Sequence, residues 1–195
     1  MTMCRHARFA TAPFCLVVLA ASCVKTPAAE VREGMNLVAH ERDPDRLVEA
    51  AQAFVALGDF ARAAQYYLAA LEEGADERSI VPHLIEVYVR DKQYRSAIHE
   101  GQNYLQKHPQ ETSLRFVVAN LRAALGEGET ARRELEHVLR EAPANADAHY
   151  ALAVLLRNDG SDLSSADHHF REYLKLEPQG SHADEARGSL LKVVP

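Results

Sequence analysis

An all-α solenoid of stacked helical hairpins is the fold class this sequence predicts, on three observations. Turn signals recur in steps of 34 residues: Gly58-Asp59-Phe60, Lys92-Gln93-Tyr94, Gly126-Glu127-Gly128 and Gly160-Ser161-Asp162. Between them, apolar residues fall three and four apart over stretches of roughly 14 residues, which places them on one face of an α-helix. A column of Ala75, Pro109, Pro143 and Pro178 closes each copy. A fixed period of that length means repeated supersecondary units, each burying its apolar face against a neighbour.

The chain opens with Arg5 and Arg8 and no acid, followed by an apolar run from Ala12 to Ala21. That run is too short to span a bilayer comfortably, and residues 1–22 read as a signal peptide. Its end, Leu19-Ala20-Ala21-Ser22-Cys23, resembles a bacterial lipobox, with alanine where leucine is usual at the third position before the cysteine. The resemblance implies a covalent lipid on Cys23; no other cofactor is expected. The competing expectation is ordinary cleavage near Ala20 or Ala21 with a free thiol left over. Cys4, Cys15 and Cys23 are the three cysteines, so the mature chain would keep one thiol and no internal disulfide. Several acyl chains hold a protein at a membrane stably where one does not. Val24 stands where an aspartate would suggest inner-membrane retention, so the resemblance favours the outer membrane, periplasmic face.

Residues 23–43 are expected to form the lipidated N-terminus and a tether. Val31, Met35 and Val38 share one helical face there, which suggests a short extra helix. Four units follow, at 44–77, 78–111, 112–145 and 146–180. In each, glycine (or Lys92) ends the first helix by adopting a left-handed conformation. Ala63, Ala97, Ala131 and, one residue late, Ala166 lack bulk and let two helix backbones approach. Proline ends the second helix because it has no amide hydrogen and its ring clashes with the preceding turn. Residues 181–195 read as a capping helix, with Ser181 as its N-cap and Asp184 in its first turn. Ala183, Ala186, Leu190 and Leu191 would cover the open face of the fourth unit.

The columns Ala51/Ile85/Ala119/Ala153, Phe54/Tyr88/Arg122/Leu156, Tyr67/Gly101/Leu135/Phe170 and Ala70/Tyr104/Val138/Tyr173 resemble the tetratricopeptide repeat (TPR). Residues 44–77 match its pattern closely. The resemblance implies a right-handed α-solenoid that binds a protein or peptide partner. Unit two departs by exchanging sizes, with Gly101 at a bulky position and Tyr104 at an alanine position, a packing compensation. Unit three has Arg122 and Gly128 in place of aromatics, so it reads as the weakest unless the Arg122 stem covers the gap. Unit four carries one extra residue within Ser161–Ser165, which should fall in a surface loop.

The chain has 22 basic and 28 acidic residues. Losing Arg5 and Arg8 with the leader leaves 20 against 28, a net charge of −8. That balance argues against nucleic acid, which selects basic surfaces. Most acidic runs, such as Glu72-Glu73, belong at solvated helix ends. No phosphate-binding loop, nucleophile elbow or Cys/His pair appears, so no catalytic residue, small-molecule substrate or enzymatic activity is expected. His168 and His169 are adjacent, hence about 100° apart on a helix, and do not readily share one metal ion. His137, His149 and His182 read as surface or packing residues, and Glu127 and Glu129 sit at a turn with no motif around them. No metal site is expected.

The resemblance also implies that the first helix of each unit lines a concave groove. Its outward positions are Val48, Gln52 and Val55 in unit one, and Glu86, Val89 and Arg90 in unit two, with Pro82 in that helix's first turn. Unit three gives Phe116, Asn120 and Ala123; unit four gives Tyr150, Val154 and Arg157. Phe116 and Tyr150 are expected to be neighbours, as groove contacts or as inter-repeat packing. Aromatic and arginine residues are enriched where interfaces are strong. Family members that clamp C-terminal carboxylates use lysine and asparagine where this chain has Val48 and Gln52, so that mode is not expected. Size and layout resemble the pilotin-like lipoproteins that serve pilus and secretin assembly. The functional expectation is a lipid-anchored scaffold at the periplasmic face of the outer membrane, aiding assembly of a pilus, secretin or barrel. The alternative is a soluble periplasmic adaptor regulating a cell-wall enzyme.

Overall fold

The computed structural model describes residues 41–160 and 162–191. The leader, Cys23 and the tether up to residue 40 lie outside the described residues, as do Ser161 and residues 192–195. The architecture is all-α, with nine helices and no strand among the described residues. They are α1 (Pro44–Ala56), α2 (Phe60–Glu72), α3 (Glu77–Arg90), α4 (Tyr94–Lys107), α5 (Thr112–Ala124), α6 (Gly128–Glu141), α7 (Ala146–Asp159), α8 (Leu163–Leu176) and α9 (Ala183–Ser189). Consecutive helices pack as hairpins α1/α2, α3/α4, α5/α6 and α7/α8. Each hairpin stacks on the next through α2/α3, α4/α5 and α6/α7, and α9 packs on α8.

Local chemistry explains the boundaries. Gly58, Gly126 and Gly160 turn the chain at φ 75°, 80° and 70°, and Lys92 does so at φ 60° without glycine's freedom. A left-handed conformation costs a residue with a Cβ roughly 1–2 kcal/mol. At the start of the next helix an acidic or amide side chain accepts an orphan amide: Asp59 from Arg62, Asn145 from Ala148 and Asp162 from Ser165. Before Pro109, Pro143 and Pro178 the helix stops at His108, Ala142 and Glu177, with φ near −130° as a following proline requires. Unit one lacks that proline, and Gly74 at φ 95° makes the exit instead.

The alanine columns lie where the helices pack. Ala51, Ala63, Ala70, Ala97, Ala119, Ala131 and Ala153 are fully buried, between helices that a larger side chain would push apart. In unit four α7 ends one residue later in its repeat than α1, α3 and α5 do, α8 starts one residue later to match, and the two still pack as a hairpin.

Three expectations need correction. Pro82 lies at the sixth residue of α3 and not in its first turn, because Asp76 caps the helix early by accepting from the amides of Arg78 and Ser79. The capping helix runs over Ala183–Ser189, and its N-cap is His182, with no side-chain hydrogen bond, in place of Ser181. Ala183 and Ala186 are buried as expected, but Leu191 is exposed, its amide donating to Asp167 instead. In unit three, Arg122 fills the aromatic position with its side chain only 12% exposed. Its guanidinium pairs with Glu127 at 2.9 Å, so an ion pair replaces a ring.

Candidate interaction groove

Two clefts open beside the first helices α3, α5 and α7, one on each side of α5. Between α3 and α5, a cleft of about 420 Å³ is lined by Pro82, Ile85, Val89, Leu114, Val117 and Tyr104, with Arg78, Glu86, Glu111 and Ser113 around them. Between α5 and α7, a cleft of about 680 Å³ is lined by Phe116, Asn120, Ala123, Asp147, Tyr150, Val154 and Asn158, closed at one end by Ser181 and His182. The spacing of α5 accounts for both. Leu114 and Val117 are three apart and turn toward α3, whereas Phe116, Asn120 and Ala123 turn toward α7.

Of the twelve outward positions predicted on the first helices, Phe116, Asn120, Ala123, Tyr150 and Val154 come together in the larger cleft, and Glu86 and Val89 line the smaller one. Arg90 pairs with Glu86 at 3.1 Å, and its guanidinium lies 5.6 Å from the Phe60 ring centre. Val48 is half-buried against the core and Gln52 is exposed, and neither lines a cleft. Arg157 turns away from the larger cleft. It donates to Ser189 Oγ at 2.6 Å and to Glu185 at 3.1 Å, and lies over Phe170.

Tyr150 has two roles. Its ring faces the cleft and stacks on His182 at 4.0 Å, while its hydroxyl donates to Glu185 at 2.5 Å. Burial and then the Glu185 carboxylate push its pKa up to about 12. The hydrogen bonds from Tyr150 and Arg157 hold the Glu185 carboxyl below its usual range. Tyr150 and Arg157, expected to face a partner, therefore anchor α9, so truncating Tyr150 would disturb the cap as well as the groove. Leu114, Val117, Tyr104 and His182 were absent from the sequence-derived candidates. The 38% exposure of Val117, beside the aromatic Phe116, is a signal that an outward apolar stripe on α5 would have carried.

A second polar feature lies on the α7/α8 hairpin. His149 is only 8% exposed, and its Nδ1 lies 2.9 Å from Nδ1 of His169. Its Nε2 lies 3.0 Å from the Pro143 carbonyl oxygen, which can only accept. With both rings neutral, His149 carries its proton on Nε2, and His169 donates from Nδ1 to the bare Nδ1 of His149. His169 thus pairs across the hairpin and not with His168. Among the described residues no third histidine, cysteine or carboxylate joins them in a metal-type cluster.

Burial first, then His149 and His168, lower the pKa of His169 from 6.5 to about 4, against the opposing pull of Glu172 and Asp162. Folding therefore selects the neutral ring. The stability this contact contributes is complete above about pH 6.5 and is lost as pH falls through 4. The melting temperature of the wild type should fall more steeply between about pH 7 and pH 4.5 than that of His169→Gln. Parallel curves would show that the pair does not titrate with folding.

Two family models described as tetratricopeptide repeat match the chain, over residues 48–115 and 88–155. Among solved structures it is similar to YrrB, described as a TPR protein with an unusual peptide-binding site. The TM-score is 0.66 at 19% identity, over 82% of this chain and 86% of that one. A TPR protein from Parabacteroides merdae ATCC 43184 gives a TM-score of 0.69 at 20% identity, over 76% of this chain and 59% of that one. MamA from Desulfovibrio magneticus RS-1 gives 0.63 at 18% identity, over 80% and 88%. At these identities the likeness is one of fold. No curated protein matches the sequence.

Proposed function

Because this chain belongs to the tetratricopeptide-repeat family through residues 48–155, we propose that it is a lipid-anchored scaffold that holds a protein or peptide partner in its concave groove. The scaffold role follows from the repeats themselves, and the observation that carries the binding face is the pair of clefts on either side of α5. Open clefts lined by apolar and half-buried aromatic side chains suit a segment of another chain. YrrB, with the same fold and a described peptide-binding site, supports the same use of the array. The anchor is Cys23, on the lipobox-like Leu19-Ala20-Ala21-Ser22-Cys23. With Val24 after it, we place the protein at the periplasmic face of the outer membrane, aiding assembly of an envelope machine such as a pilus, secretin or barrel. A scaffold needs no chemistry of its own, and we assign the chain none.

Metabolic labelling with a palmitate analogue tests the anchor. Wild type should take up label and partition with membranes, and Cys23→Ala should do neither. Absence of label from wild type would remove the anchor and favour a soluble periplasmic adaptor acting on a cell-wall enzyme.

A further inference from the structure

The two clefts differ in what they leave unsatisfied, and that difference specifies a ligand. In the α3–α5 cleft every lining charge is already paired: Arg78 with Glu111 at 3.6 Å, and Glu86 with Arg90 at 3.1 Å. What remains open is mainly apolar, Pro82, Val89, Leu114 and Val117, with the Ser113 hydroxyl at the edge. An added charge there would have to lose water or displace an existing partner, and an aliphatic or aromatic side chain would do neither.

The α5–α7 cleft is the opposite case. Tyr150 has spent its hydroxyl on Glu185. Asn120 donates its Nδ2 to the Phe116 carbonyl, which can only accept, and among the described residues nothing donates to its Oδ1. Asp147 lines the same cleft and makes no ion pair among the described residues. Asn158, Ser181 and His182 line it too and can both donate and accept, but Asp147 is its one carboxylate, and no lysine or arginine is among the lining residues. The complement of that charge is a cation rich in N–H donors, lysine or arginine, and not a carboxylate or a phosphate.

Resting on the groove reading above, we propose that the partner is an extended peptide segment pairing an apolar side chain, seated between α3 and α5, with a basic one, seated between α5 and α7 at Asp147. Helices packed side by side lie about 8–10 Å apart, and an extended chain advances about 3.3 Å per residue. Crossing α5 from one cleft to the next thus separates the two side chains by about two to four residues. The net acidity of the chain, 28 acidic against 22 basic residues, also favours approach of a basic segment.

The test is selection of random ten-residue peptides displayed on phage, run against the full-length protein and against its Asp147→Asn and Val117→Ser variants, each checked for wild-type helicity. Asparagine keeps a helix-starting side chain in the first turn of α7, and position 117 is at the surface, so both variants should fold. Wild type should enrich peptides with Lys or Arg two to four residues from Leu, Ile, Val or Phe. Asp147→Asn should lose the basic preference and bind the enriched peptides about two- to fivefold more weakly, the range of a solvent-exposed ion pair. Val117→Ser should relax the apolar preference and keep the basic one. Enriched peptides that lack a basic residue, or a basic preference unchanged in Asp147→Asn, would overturn the proposal and leave the groove reading standing. A wild-type selection that enriches nothing would overturn both.

Discussion

Replacing Gly101 with leucine, the kind of residue its repeat column holds in the third unit, is expected to destabilise the centre of the array by about 3 kcal/mol or more. A Cβ built on Gly101 would lie 2.5 Å from Val118 Cγ2 and 3.4 Å from Ile85 Cδ1. Neither neighbour has room to retreat: Val118 is 1% and Ile85 3% exposed, and the branched Cβ of valine holds its χ1 nearly fixed in a helix. Two effects compete in the milder Gly101→Ala. Helix propensity favours alanine by about 1 kcal/mol, and overpacking costs about 1–3 kcal/mol. Contact with a stiff, buried valine makes the second larger, so alanine should also lose stability. Val118→Ala in the same chain should recover part of that loss, giving a favourable coupling in a double-mutant cycle. Urea denaturation followed by circular dichroism measures all four proteins. A stabilised Gly101→Ala would show that α4 and α5 separate easily and that the glycine is incidental.

The same position marks where sequence reasoning stops. The exchange of Gly101 and Tyr104 was legible as a displacement of volume, because both stand in columns with known neighbours. That the glycine admits Val118 from the next unit was not, since a repeat period ranks positions within a hairpin and says nothing of which atom fills a gap between hairpins. Features governed by the local backbone were readable: the left-handed turns at Gly58, Gly126 and Gly160, the proline stops and the buried alanines. Pro82 was misplaced because Asp76 starts α3 earlier than the proline alone suggests.

Features governed by distant partners were read incompletely. Tyr150 and Arg157 occupy outward columns of a first helix, so they looked like groove residues. Glu185 and Ser189, about 30 residues further on, claim their polar ends. The capping helix could be read from its own alanines, but not the hydrogen bonds that hold it. On α5 the repeat period predicts one line of outward residues, whereas a helix flanked by two clefts exposes a wider arc. Leu114 and Val117 fall on the part of that arc it omitted.

Truncating Tyr173 to alanine should open the C-terminal end of the array and leave its N-terminal half folded. Tyr173 is fully buried, and its hydroxyl accepts from the His182 amide at 3.0 Å. Its ring lies 5.4 Å from that of Tyr150. Loss of a buried aromatic side chain costs about 3–5 kcal/mol. In a stacked array each unit touches only its neighbours, so that loss falls on α7, α8 and α9 and is not shared by the whole chain. Hydrogen exchange should then show the amides of Ala146–Ser189 exchanging faster by orders of magnitude, while those of α1–α4 keep their protection. Tyr173→Phe keeps the ring and leaves the His182 amide without its acceptor, so it should cost only about 1–3 kcal/mol and loosen α9 alone. The two clefts separate the functional consequence. The α5–α7 cleft depends on Tyr150 and His182 and should be lost in Tyr173→Ala, whereas the apolar cleft between α3 and α5 should survive. Uniform loss of protection from α1 to α9 would mean that the four units fold as one cooperative body and that the cap cannot open independently.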